Sequence, residues 1–109
     1  MTGIIWYYTS KEVGKLRLED LVEEYKKINI EVEQSWVNAT STAVIFENGD
    51  RWEVVPANDR SRGRACNIVL IEKCTPQDIV DTVILPCLKN YPFRAYNYYF
   101  TVMDKAYEL

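Results

Sequence analysis

Histidine is absent from all 109 residues. That removes the commonest general base and metal ligand and argues against a self-contained hydrolase. Long apolar runs are missing as well: nothing approaches the roughly 20 residues that cross a bilayer. The N-terminus lacks the basic, apolar and small-residue regions of a signal peptide, so a cytoplasmic chain with no membrane contact is expected. Excess positive charge is lacking too. With a net charge of -3 and a pI near 5.0, no global basic field is available to hold nucleic acid, and any such contact must come from a local patch. Cysteine is scarce: Cys66, Cys74 and Cys87 are odd in number and widely spaced, so reduced core thiols are expected, with no disulfide framework, metal or other cofactor. There is no internal repeat, low-complexity tract or linker.

What is present is the balance of a folded domain, 48% hydrophobic and 27% charged. The length suits one domain spanning residues 1–109. Residues 4–9 (IIWYYT) are apolar without alternation, as in a strand covered on both faces. Thr9 and Ser10 can cap a following helix in which Leu18, Leu21, Val22, Tyr25 and Ile28 form one stripe. The pattern weakens over 29–41, where Ile30, Val32 and the Trp36/Val37 pair fit a short edge strand. Residues 42–47 and 51–55 flank Asn48-Gly49-Asp50, a strong hairpin signal, and Pro56 ends the second strand.

Residues 57–65 form a polar loop carrying Arg60, Arg62 and Arg64. The run 67–71 (NIVLI) again reads as a strand buried on both faces. Thr75-Pro76 is placed to open a helix with Ile79, Val80, Val83, Ile84 and Cys87 on one stripe, limited by Pro86. A last strand is expected over 96–102 (YNYYFTV). The aromatics of the first and last strands, Trp6, Tyr7, Tyr8, Tyr96, Tyr98, Tyr99 and Phe100, are expected in the core. Together these elements predict an α/β fold: a small mixed, mostly parallel sheet with a β-hairpin and two main helices, the strands at 4, 67 and 96 being mostly parallel.

The succession of hairpin, arginine-glycine loop, and apolar strand Ile68-Val69-Leu70-Ile71 ending in Glu72 resembles the region around the Walker B strand of phage large-terminase ATPase domains, which are P-loop NTPases. The match runs over about residues 42–88. In that family the strand delivers an Asp to Mg²⁺ followed by a Glu that orients water; here those places hold Glu72 and Lys73, a degenerate Walker B. The only stretch with phosphate-loop character, Thr9 to Leu16, lacks the first glycine and ends in Leu where Ser or Thr holds the metal. Residues 4–28 fit better as the family's second strand-helix unit, which implies a truncated core without its phosphate-binding unit and without nucleotide hydrolysis.

The resemblance therefore implies a non-catalytic, phage- or prophage-derived small protein acting through a protein partner or as a homo-oligomer. A nucleic-acid-binding accessory protein using Arg51, Arg60, Arg62 and Arg64 is an alternative, and weak nucleotide binding at Lys15 and Glu72 is another. The stretch RSRGRAC also partly resembles the Arg-Gly-aromatic strand of RNA-recognition motifs. Arg62, Gly63 and Ala65 fit it, while Arg64 and Cys66 stand where stacking aromatics belong. That resemblance implies a ferredoxin-like α+β fold as the alternative architecture.

Overall fold

The computed structural model describes residues 3–37, 41–88, 94–98 and 106–108. The first apolar run forms β1 (Gly3–Tyr8), buried from Ile4 to Tyr8 on both faces. A strand covered on both faces belongs in the middle of a sheet. β1 indeed lies parallel between β4 (Arg51–Pro56) and β5 (Ile68–Glu72), and β6 (Arg94–Tyr98) continues the parallel set beyond β5. Antiparallel β2 (Val32–Val37) and β3 (Thr42–Phe46) extend the sheet on the β4 side, and β7 (Ala106–Glu108) extends it beyond β6. Among the described residues seven strands thus run in the order β2-β3-β4-β1-β5-β6-β7. A parallel centre of this kind is an α/β arrangement and sets aside the ferredoxin-like alternative.

The two faces carry separate cores because alternate residues of each strand point to opposite sides. Trp6, Tyr8, Val54 and Leu70 pack under α1 (Lys11–Lys27) with Leu18 and Leu21. Tyr7, Val55, Val69 and Ile71 pack on the other face against Val80, Val83, Ile84 and Cys87. Helix α1 ends where Asn29 adopts φ 62°, with Asn29 N–H donating to Lys26 O and Ile30 N–H to Tyr25 O, a left-handed cap for which Asn is suited. Tyr25 fastens the helix to the hairpin: it stacks on Phe46 at 3.8 Å, donates to Asp50 Oδ2 at 2.8 Å and accepts from Trp52 Nε1 at 3.1 Å. The Asn48-Gly49-Asp50 turn forms as expected, with Gly49 at φ 93°.

Several expectations are corrected. The second helix is not regular: α2 (Gln77–Ile79) passes into a π turn (Val80–Ile84) and a 3-10 turn (Leu85–Cys87). Pro86 has no N–H to give the Thr82 carbonyl four residues earlier, and Arg62 Nη1 donates to that oxygen instead at 2.9 Å. Thr75 does not cap; its hydroxyl donates to Glu72 O at 2.7 Å and Pro76 takes the N-cap position. β6 begins at Arg94, and residues 99–102 of the expected last strand lie outside the described residues. Tyr96 is half-buried, whereas the Tyr98 side chain, Tyr99 and Phe100 lie outside the described part. Cys66 and Cys87 are buried free thiols as expected, but Cys74 is exposed. No helix among the described residues is long and apolar enough to cross a membrane.

Candidate functional site

In open α/β sheets ligands bind beyond the carboxyl ends of adjacent parallel strands whose connections leave on opposite faces. β1 and β5 are such a pair, since β1 leads to α1 on one face and β5 to α2 on the other. At this point Thr9 Oγ1 donates to Glu72 Oε2, and Cys74 Sγ lies 3.6 Å from both atoms. Glu72 Oε1 is buried without a hydrogen-bond partner. Glu72 is thus engaged by Thr9.

Only Thr9 and Ser10 separate β1 from α1. Two residues cannot wrap a phosphate, which requires a longer glycine-rich loop presenting successive N–H groups. Lys15 stands on the flank of α1 that borders β2 and β3, on the opposite side of β1 from β5 and Glu72. The two residues expected to hold a nucleotide are therefore not brought together. No group of three or more Cys, Asp or Glu able to hold a metal exists among the described residues.

The arginines divide into two kinds. Arg62 is bound to the Asp59 carboxylate at 3.0 Å as well as to Thr82 O. Arg64 reaches back across the sheet to Glu53 on β4, with Nη1 2.8 Å from Oε2 and both side chains largely buried. These two arginines fasten the β4–β5 crossover to the sheet and to the second helix. Arg51 lies over the Trp36 ring, 5.3 Å from its centroid, and Arg60 is exposed on the crossover. Arg51 and Arg64 line one cavity of about 250 Å³ together with Glu53, and Arg62 and Arg64 line another of about 210 Å³ beside Val83 and Cys87; Arg60 lines neither. Sequence reasoning missed Glu53 as the partner of Arg64; the available signal was a carboxylate inside the otherwise apolar run Trp52-Glu53-Val54-Val55.

An open apolar groove lies elsewhere. A groove of about 440 Å³ runs between α1 (Lys15, Leu18, Val22) and the hairpin (Val32, Val37, Val44), alongside the outer strand β2. Among the described residues β2 is the last strand on that side of the sheet, and Val37 at its end is 72% exposed.

The thiols give a direct check on this geometry. Burial, reinforced by Cys87 and Glu53, pushes Cys66 from the ordinary 9.0 to about 12, which suppresses its thiolate. With Cys87 also buried, a thiol reagent at about pH 8 is expected to modify Cys74 alone, and all three cysteines after unfolding. Fast labelling of two or three thiols in the native protein would contradict the structure. The sign of the pH effect follows. Between 9.0 and about 12 the folded chain keeps a Cys66 proton that the unfolded chain loses, so stability falls as pH rises through that window, by at most about 1.4 kcal/mol per pH unit for one group.

No protein-family model, curated protein or solved structure matches the chain.

Proposed function

We propose that this chain is a non-catalytic, phage- or prophage-derived small protein with a truncated terminase-like core, which acts in the cytoplasm through protein contacts made at the β2 edge and its groove. The observation that carries this reading is Val37, 72% exposed at the end of an outer strand and beside an apolar groove of about 440 Å³. A strand with no neighbour on one side among the described residues, next to open apolar surface, is what a partner's strand or helix covers. The terminase-like lineage is supported by the succession of hairpin, arginine crossover and β5. A non-catalytic role is supported by the two-residue β1–α1 junction and by the separation of Lys15 from Glu72. Unpaired cysteines fit a reducing compartment.

A photoreactive benzophenone side chain in place of Val37 tests the reading directly. Irradiation in a lysate of the source cells is expected to give a discrete adduct from position 37 and none from Lys27, an exposed residue of α1 paired only with Glu24. Equal labelling at both positions, or none at 37, would remove the groove as the contact surface.

A further inference from the structure

The alternation of hydrogen bonds in an antiparallel ladder fixes which backbone groups of β2 are free. Phe46 N–H donates to Asp50 O, so Phe46 turns its backbone groups toward β4. By alternation Val44 and Thr42 do the same, while Ile45 and Ala43 turn toward β2 and meet Gln34 and Trp36. Glu47 N–H, donating to Glu31 O, agrees with this phase. Ser35 and Val37 therefore direct their N–H and C=O outward, away from β3. The register skips from Val32 to Gln34, which makes Glu33 a bulge residue. A bulge with a charge beside it stops pairing from running along the whole edge and confines it to a short segment.

The charges along the groove are arranged end to end. α1 runs opposite to β1, and β2 runs the same way as β1, because it is antiparallel to β3, which is antiparallel to β4. Lys15, near the start of α1, therefore lies by Val37 at the end of β2, with Glu19 one turn further along α1 on the same groove wall, and Glu33 follows Val32 at the other end of the β2 edge. Lys15 and Glu33 are exposed, and neither is held in an ion pair among the described residues.

A surface with an outward backbone segment at its centre and opposite charges at its two ends is complementary to itself under a two-fold rotation. We propose that the partner of the β2 edge, beside the groove, is a second copy of this chain, paired antiparallel through β2 about an axis perpendicular to the sheet, with Ser35 opposite Ser35 of the second copy. This rests on the reading of the groove as a protein-contact surface. The pairing joins two sheets through their β2 edges and sets the two grooves side by side on one face. It also brings Val37 and Lys15 of each copy to Val32 and Glu33 of the other, so each opposite-charge contact occurs twice.

Sedimentation equilibrium on the purified full chain tests the assignment. At about 100 µM, where a dimer of micromolar affinity is almost fully formed, twice the chain mass is expected. Ser35→Pro removes an outward N–H without touching the β3 ladder, so it is expected to leave the far-ultraviolet spectrum unchanged and the mass at one chain. Should Ser35→Pro fail to fold, the exposed charges still decide. Lys15→Glu and Glu33→Lys are each expected to weaken association about tenfold, since each reversal acts at both symmetry-related contacts, and the two together to restore it. A monomeric wild type at that concentration overturns the proposal, as does a dimer indifferent to all three changes. If the purified chain is monomeric but the photoreactive group at 37 joins a different protein, the second-copy assignment fails and the groove reading stands. If neither occurs, both fail.

Discussion

Glu53→Ala is expected to lower the free energy of unfolding by about 3 kcal/mol, read as an earlier denaturant midpoint at unchanged slope. Glu53 is 8% exposed and lies on β4 opposite Ile5 of β1, in the middle of the sheet. Its carboxylate meets Arg64 Nη1 at 2.8 Å. Removing it leaves the Arg64 guanidinium in a cavity that it shares with a second cation, Arg51, with Nε already lacking a hydrogen-bond partner. Breaking a buried pair from one side is far worse than removing both charges together, because the desolvation of the remaining ion is no longer offset. Glu53→Leu combined with Arg64→Met should therefore fall within about 1 kcal/mol of the wild type. A loss well under 1 kcal/mol for Glu53→Ala alone would mean that water reaches Arg64 freely and that the crossover is not fastened by this pair. The outcome also bears on function, since an arginine that holds the chain to its own sheet is not offered to a phosphate backbone.

The parts of this fold that were legible in the sequence are those set by local periodicity. Residues 4–8 and 68–71 lack polar positions because both faces are covered, and that absence identified the central parallel strands. The Asn-Gly turn and the helical stripe through Leu18, Leu21 and Tyr25 are equally local. The junction between the first strand and helix at Thr9 and Ser10 could also be read directly, from where the apolar run ends and the helical stripe begins. The partners of long side chains could not. Arg64 reaches Glu53, and not the carboxylates nearer to it in sequence, Asp59 and Glu72, because the crossover passes back over β4. The π turn depends on Pro86 together with an arginine 24 residues earlier in the chain, and no window of periodicity contains both. β2 showed only weakly, for its exposed edge carries no alternation, and β7 has no strand-like run of its own. The groove that carries the functional reading lies along the strand whose sequence signal was poorest. An edge awaiting a partner shows little pattern, because the covering that would impose one comes from outside the chain.

Gly14→Ala should destabilise the protein by about 2 kcal/mol, although the same change inside an ordinary helix stabilises by about 1 kcal/mol. A Cβ at this position would lie 2.6 Å from Tyr8 Cδ1, 2.7 Å from Tyr8 Cγ and 2.8 Å from Val54 Cγ1. None of these is the free end of a flexible side chain: Tyr8 is 8% exposed and Val54 2%, both packed in the core beneath α1. The only relief is to lift α1 from β1 and β4, which opens voids beside Leu18 and Leu21. A double-mutant cycle separates the two effects, since in a Tyr8→Ala background the clash with the ring is gone and Gly14→Ala should recover much of its cost. Gly14 sits where a phosphate loop would carry a glycine before its lysine, so the cycle also assigns its role. A glycine kept for close approach of helix to sheet gives this coupling, whereas one needed only for loop geometry gives none. Because the next residue, Lys15, and the neighbouring Leu18 form a wall of the groove, lifting α1 also moves that wall relative to β2. Gly14→Ala is therefore expected to weaken association of the chain while it remains folded, and a variant that is destabilised yet associates unchanged would detach α1 from the contact surface.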